Sequence, residues 1–150
     1  MRTFQVSYTL PGDPKIYRTR VVARDKDEAR ATVESDHPDM YGGPITITDI
    51  RRFFTSITEI RQANQAAGYS WFSPDTLRWF HSRIHADVYN GRYFVTSERN
   101  PEGVRRYTVR EVTEDGDIRT AEGCEFFEYA SRSGAHNRAR QLALQKIYDV

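Results

Sequence analysis

The sequence predicts an α+β protein with an N-terminal ββαβ unit, a helical connector and a C-terminal α-β-β-β-α unit whose helices lie on one face of an antiparallel sheet. Three observations lead to this prediction. Apolar residues alternate at period two in several short segments, as in strands, and Pro/Gly turns separate those segments. Helix-capping patterns precede the segments that we predict to be helices. We place the three parts at residues 1–53, 54–70 and 71–150. A length of 150 residues suits one domain or two very small ones.

The N-terminal unit begins with residues 4–8, in which apolar and polar side chains alternate as in a half-buried strand. A Pro-Gly-Asp-Pro turn at residues 11–14 leads into a second strand over residues 16–23. Asp25 then has the position of an N-cap, with a glutamate three residues later that completes a capping box. A third strand over residues 45–50 closes the unit.

The connector contains a second capping-box pattern. Ser56 is followed three residues later by Glu59, and Gly68 is suited to end the helix. The segment between them is polar apart from a narrow apolar edge. We therefore expect a short helix that packs between the two halves.

The C-terminal unit opens with the pattern Ser-Pro-Asp-Thr, in which Ser73 is the predicted N-cap. Leu77, Phe80 and Ile84 recur at i, i+3 and i+7, which predicts one buried stripe on a helix that reaches Ile84. Three strands follow, over residues 92–98, 104–113 and 117–129, the third interrupted at a glycine. A final helix runs from Ser131 or Ser133 to about Lys146.

Composition narrows the function classes. The 22 basic and 21 acidic residues give a formal net charge of +1, which argues against a histone-like polyanion binder but allows a local basic face. A single cysteine permits no intramolecular disulfide and favours a cytosolic protein. The N-terminus alternates like a strand, so we expect no signal peptide, and no apolar stretch is long enough to predict a membrane helix.

Four segments of the C-terminal half carry a resemblance: FSPDTLRWFHSRI, GRYFVTSER, RRYTVREV and EYASRSGAHNRARQLA. Together they resemble a family of small bacteriophage proteins, including members from actinobacterial phages, over roughly residues 71–145. The family has no known function. The resemblance therefore implies a phage-encoded protein that acts in the host cytoplasm, and it assigns a role to no residue.

A nucleic-acid-binding face is the leading functional hypothesis. If the apolar side chains of the first two C-terminal strands face the helices, the opposite sheet face presents arginines around an aromatic ring, and the last helix adds further arginines. The predicted binding residues are Arg92, Phe94, Arg106, Arg110, Arg132, Arg138 and Arg140. Guanidinium groups pair with phosphates, and an aromatic ring stacks on a base of DNA or RNA. The alternative is a solvated face whose arginines are neutralised by nearby glutamates.

A second hypothesis is a module that binds a phage or host protein. Trp71, Phe72 and Trp79 lie close together in the sequence, and not all three can be buried in the core. They either pack the two halves together or anchor a partner.

Neither a metal nor a cofactor is predicted. His81 and His85 are four residues apart, so a helix would place both on one face, and a third zinc ligand would come from Asp87, Cys124 or His136. Two surface histidines are the interpretation that we favour. Because the sequence contains neither a nucleophile elbow nor a glycine-rich phosphate loop, we expect a protein that is not an enzyme.

Overall fold

The computed structural model describes residues 1–37 and 43–148. Contacts divide the chain into two units, residues 1–53 and the part that begins at Phe54. Each unit combines antiparallel strands with helices, so the predicted α+β class is confirmed. Within the described residues, no helix has both the length and the apolar content that a membrane crossing requires.

The first unit is a three-stranded antiparallel sheet with one helix. Its elements are β1 (Arg2–Thr9), β2 (Tyr17–Ala23), α1 (Lys26–Asp36) and β3 (Thr46–Arg52), and the strand order is β2-β1-β3. Asp25 caps α1 as predicted, since its carboxylate accepts a 2.8 Å hydrogen bond from the Glu28 amide. Apolar side chains of β1, β2 and α1 form the core of this unit: Phe4, Val6, Tyr8, Ala23, Ala29 and Val33.

The second unit is a four-stranded antiparallel sheet with helices. Its elements are α2 (Ile57–Ala66), α3 (Pro74–Arg78), β4 (Arg83–Ile84), β5 (Tyr93–Arg99), β6 (Arg105–Val112), β7 (Ile118–Thr120) and α4 (Arg132–Tyr148). The strand order is β4-β5-β6-β7. Buried alanines of α4 pack on Tyr93, Val95 and Val109, so α4 covers one face of this sheet.

Helix α2 begins and ends where the sequence predicts, at the N-cap Ser56 and before the left-handed Gly68. It packs Ile60 into the core of the second unit. The side-chain amide of Asn64 donates a 2.8 Å hydrogen bond to the Gly116 carbonyl in the β6–β7 turn. Gly116 has a φ of +91°, and a Cβ there would lie 2.8 Å from the Ala63 carbonyl oxygen, so this close approach requires glycine.

The predicted helical stripe of Leu77, Phe80 and Ile84 is wrong, because α3 ends at Arg78. His81 adopts a φ of 47°, a left-handed conformation that a right-handed helix cannot continue. The chain then becomes the edge strand β4, where Ile84 gains backbone pairing with β5. Hydrogen bonding to the open sheet edge replaces the helical pattern, and Phe80 is left 43% exposed.

The predicted third strand is also shorter in the structure. Regular pairing with β6 covers only β7, and the chain leaves the sheet before the left-handed Gly123. It returns at Tyr129, which forms an isolated antiparallel bridge with Tyr107.

Phe94 does not lie on an open face. The sheet face opposite α4 carries a second core, in which Phe94 contacts side chains from α2, β6 and the segments on either side of α2. Phe94 is 0% exposed, and Trp71 packs edge-on against its ring with a centroid separation of 6.2 Å. The prediction that Phe94 stacks on a base is therefore wrong, because its ring is enclosed by neighbouring apolar side chains.

We expect Phe94→Ala to lower the free energy of unfolding by about 3–5 kcal/mol, because the substitution leaves a cavity in this core. Phe126→Ala, at a ring that is 44% exposed, is the matched control and should cost less than about 1 kcal/mol. Urea denaturation followed by circular dichroism measures both values. Equal costs for the two variants would show that Phe94 is not enclosed.

Candidate nucleic-acid interface

Two of the three sheet arginines predicted to bind nucleic acid, Arg92 and Arg110, are paired with buried glutamates. Glu111 is 1% exposed and accepts hydrogen bonds from the guanidinium groups of Arg92 and Arg119, the latter at 3.1 Å. The Arg92 side chain is only 19% exposed. Its charge is thus neutralised within the sheet.

Arg110 forms the second such pair. Its Nη2 lies 2.9 Å from Oε1 of Glu98, a carboxylate that is 0% exposed. The hydroxyls of Thr96 and Thr108 donate to the same carboxylate at 2.6 and 2.8 Å, so Glu98 has both oxygens satisfied. Arg110 is held by this network and is not available to a phosphate.

Arg106 bonds to backbone instead of carboxylates. Its Nε donates to the Phe127 carbonyl at 2.8 Å, and its Nη2 donates to the Glu128 carbonyl. Phe127 has a φ of 63°, so this part of the chain follows an irregular path. Arg106 thereby fixes the segment between β7 and α4.

The arginines of α4 lie on two faces. Arg132, His136 and Arg140 follow one another at intervals of four residues and share one helix face. Arg138 lies beside Gly123, on another side of the helix. Of the three predicted arginines on α4, the structure therefore brings Arg132 and Arg140 together and separates them from Arg138.

Two depressions in the surface adjoin one another at Arg132. One has a volume of about 500 Å³ and includes Arg140, His136, Ser133 and Asp87 in its lining. The other has a volume of about 390 Å³ and is lined in part by Arg83, Arg105 and His85. We call the four arginines that line the two depressions the Arg132 surface: Arg83, Arg105, Arg132 and Arg140.

The Arg132 surface carries uncompensated positive charge. Among residues 1–37 and 43–148, no carboxylate forms an ion pair with any of its four arginines. The pKa of Arg105 is lowered by burial and by the nearby charges of Arg83 and Arg99. Among the described residues that line the two depressions, Asp87 is the one carboxylate.

A pair of histidines lies between the two depressions. Nδ1 of His85 is 2.8 Å from Nε2 of His136, and Nδ1 of His136 is 2.7 Å from the Tyr89 hydroxyl. Burial, the neighbouring His136 and the charge of Arg132 lower the pKa of His85 to about 4. Burial and Arg132 also lower the pKa of His136. Both imidazoles are therefore neutral near pH 7 and fixed in orientation.

The model of DUF7447, a family of unknown function, matches residues 56–140. The chain belongs to this family. No curated protein and no solved structure matches the chain. The family match runs from the N-cap of α2 to Arg140 and so includes the whole Arg132 surface.

The aromatic residues predicted to bind a partner differ in their burial in the DUF7447 region. Phe72 is buried at 5% exposure, and Trp71 packs edge-on against it at 4.9 Å. Trp79 is 82% exposed. Phe80 and Phe126 lie nearby with rings 5.2 Å apart, both partly exposed. The prediction of an exposed aromatic thus holds for Trp79 and is wrong for Phe72, which the core requires.

The spacing of His81 and His85 loses its helical meaning in the DUF7447 region. Because α3 ends before His81, the two side chains do not share a helix face. His85 meets His136 instead. Within the part of the chain that the structure describes, no three His, Cys, Asp or Glu side chains are grouped to hold a metal ion.

Sequence reasoning missed Arg83 and Arg105. The sequence pattern predicts a helix at Arg83, whereas this residue lies on the edge strand β4. Arg105 lies at the start of β6, where its guanidinium donates to the His81 carbonyl at 3.2 Å and to the Ser97 hydroxyl at 2.9 Å. The alternation of β6 does place Arg105 on the α4 side, which is the one signal that pointed towards this surface.

Glu98→Gln should lower the free energy of unfolding by about 3 kcal/mol, because it leaves the Arg110 charge in the sheet without its partner. Glu102→Gln, in the exposed β5–β6 turn, is the control and should change the free energy of unfolding by less than about 0.5 kcal/mol. Chemical denaturation tests this prediction. A Glu98→Gln protein as stable as the control would show that Arg110 does not depend on Glu98.

The free energy of unfolding should fall as the pH is lowered. His85 binds a proton near pH 4 in the folded state and near its ordinary value of 6.5 in the unfolded chain, so the unfolded state takes up protons first. Between about pH 7 and about pH 5 we expect this site to remove roughly 1–2 kcal/mol, after allowance for solvent screening. His85→Gln should reduce that pH dependence relative to the wild type, as measured by urea denaturation at pH 5 and pH 7. A pH dependence equal to that of the wild type would contradict the assignment.

Proposed function

We propose that this DUF7447 protein binds nucleic acid through the phosphate backbone, with the Arg132 surface as the contact. The observation that supports this most strongly is the grouping of arginines from β4, β6 and α4 around two adjoining depressions without ion-pair partners among the described residues. Arginine in this arrangement is suited to oxygens of a phosphodiester, since its planar group donates in a fork. The sheet arginines Arg92, Arg106 and Arg110 have structural roles in this proposal.

Like-charged side chains that lie close together repel one another, and an anion between them relieves the repulsion. Burial is the larger cause of the lowered pKa of Arg105, and the nearby charges of Arg83 and Arg99 lower it further. The two depressions have volumes of about 500 and 390 Å³ and share Arg132, as expected for a polymer backbone that contacts both. With a net charge of +1, the rest of the chain adds little long-range attraction. Binding should therefore depend on this one surface.

We further propose that the protein is encoded by a phage, acts in the host cytoplasm and has no catalytic activity. The support is the resemblance of the four C-terminal segments to small bacteriophage proteins, together with the single cysteine. DNA and RNA are both candidate ligands, because a phosphate contact does not distinguish them.

A phage or host protein is the second candidate partner, and the 82% exposure of Trp79 is the observation that favours it. A pull-down from nuclease-treated host lysate separates the two candidates. A protein retained by the wild-type chain and lost with Trp79→Ala would favour this second candidate.

Replacing Arg132 and Arg140 with glutamine should weaken binding of labelled DNA and RNA and should lower the slope of log K against log salt concentration by about 1 per arginine. Each lost phosphate contact releases one less counterion. Fluorescence anisotropy across a salt series measures the slope.

Arg61→Gln is the matched control, because it removes an exposed arginine of the same unit that lies outside the Arg132 surface. Its slope should equal that of the wild type. If Arg61→Gln weakens binding as much as Arg132→Gln does, the contact is diffuse and the assignment to the Arg132 surface is wrong.

A further inference from the structure

A cleft on the other side of the edge strand β4 is lined by aromatic side chains. Its volume is about 230 Å³, and Trp71, Trp79, Phe80 and Phe126 contribute to its walls. Trp79 is 82% exposed, and Phe80 and Phe126 are 43% and 44% exposed. Such exposed rings have no part in the core, so they are available for a planar ligand.

This cleft and the Arg132 surface share one chain segment. Phe80 and Ser82 line the cleft, whereas Arg83 and His85 line the smaller depression of the Arg132 surface. Arg105 joins the two, because its guanidinium belongs to the Arg132 surface and bonds to the His81 carbonyl, one residue after Phe80. The Arg132 surface, which would bind phosphates, is thus separated from the aromatic cleft, which would stack on bases, by the two-residue strand β4 and the residues just before it.

We propose that the nucleic acid is single-stranded and that it bends around the β4 edge, with phosphates on the Arg132 surface and an unpaired base stacked on Trp79. This inference rests on the proposed function. Every base offers a π-face, and arginines beside exposed aromatic rings are the usual means by which proteins bind single strands. A duplex keeps its bases stacked inside and is too stiff to follow so short an edge.

The alternation of the sheet supports this geometry. Ser97, which pairs with Arg83, and Arg105 belong to the face that α4 covers, whereas Phe94 and Arg110 belong to the opposite face. The aromatic cleft includes Arg110 in its floor, so it lies on that opposite face. A ligand that touches both features must therefore cross the sheet edge, which a flexible strand can do.

The test compares a labelled oligothymidine strand with a duplex of equal length by fluorescence anisotropy. We expect the wild-type chain to bind the strand more tightly than the duplex. Trp79→Ala should weaken binding of the strand between about 5-fold and about 100-fold and leave duplex binding unchanged, because only unpaired bases stack. Trp79→Phe keeps a ring at this position and should restore most of the affinity. Because Trp79 is exposed, neither substitution removes a core contact.

An abasic strand of the same length provides the second arm. It keeps the phosphates and lacks the bases, so wild type and Trp79→Ala should bind it equally. If Trp79→Ala binds oligothymidine as tightly as the wild type, the single-strand inference is wrong, and loss of binding in Arg132→Gln still supports the proposed function. If Arg132→Gln has no effect on any ligand, the proposed function fails and the inference fails with it.

Discussion

The ion pair between Glu98 and Arg110 is the interaction on which the arrangement of the sheet and of the aromatic cleft in the second unit depends. Glu98 is wholly buried and accepts hydrogen bonds from two threonines as well as from the guanidinium. A charge taken out of water is tolerated only where partners satisfy it, so the residues around Glu98 are fixed together. Arg110 in turn lies over the rings of Trp71 and Phe126, each at 5.5 Å. The pair thus organises the floor of the aromatic cleft as well as the sheet.

A second buried carboxylate extends the same principle. Glu111 neutralises Arg92 and Arg119 on the α4 side of the sheet, as Glu98 neutralises Arg110 on the other side. These two glutamates therefore neutralise Arg92, Arg110 and Arg119. Among the described residues, Arg83 on β4, Arg105 on β6 and Arg132 and Arg140 on α4 have no ion-pair partner. A nearly neutral chain can in this way carry a cationic surface, because pairing in one region leaves an excess in another.

Local signals in the sequence were sufficient for most of the fold. Asp25, Ser56 and Ser73 cap their helices as predicted, because each cap depends on residues within one turn. The alternation of β5 and β6 also placed Arg110 and Phe94 on the face away from α4. The extent of α3 could not be predicted in this way, since Arg83 and Ile84 of β4 pair with Ser97 and Thr96, which lie 14 and 12 residues further along the chain.

The candidate site was less accessible to sequence reasoning. Whether an arginine is paired depends on contacts across strands, and the bond from Arg92 to Glu111 spans 19 residues. His85 and His136 are 51 residues apart in the sequence, and no local pattern predicts their contact. The sequence predicts Arg132, Arg138 and Arg140 together, because the last helix carries arginines without a nearby acid. Helical periodicity places Arg132 and Arg140 on one face and Arg138 on another. The sequence thus predicted Arg132 and Arg140 on α4. Arg83 and Arg105 were not predicted, because their place on this surface depends on strand pairing.

The most direct measurement is nuclear magnetic resonance of the arginine Nε–Hε groups while an oligonucleotide is added. The account predicts that the signals of Arg83, Arg105, Arg132 and Arg140 shift as the complex forms. Those of Arg92 and Arg106 should stay in place, because Glu111 and the carbonyls of Phe127 and Glu128 hold them. Shifts confined to Arg92 and Arg106, with Arg132 unmoved, would contradict the account.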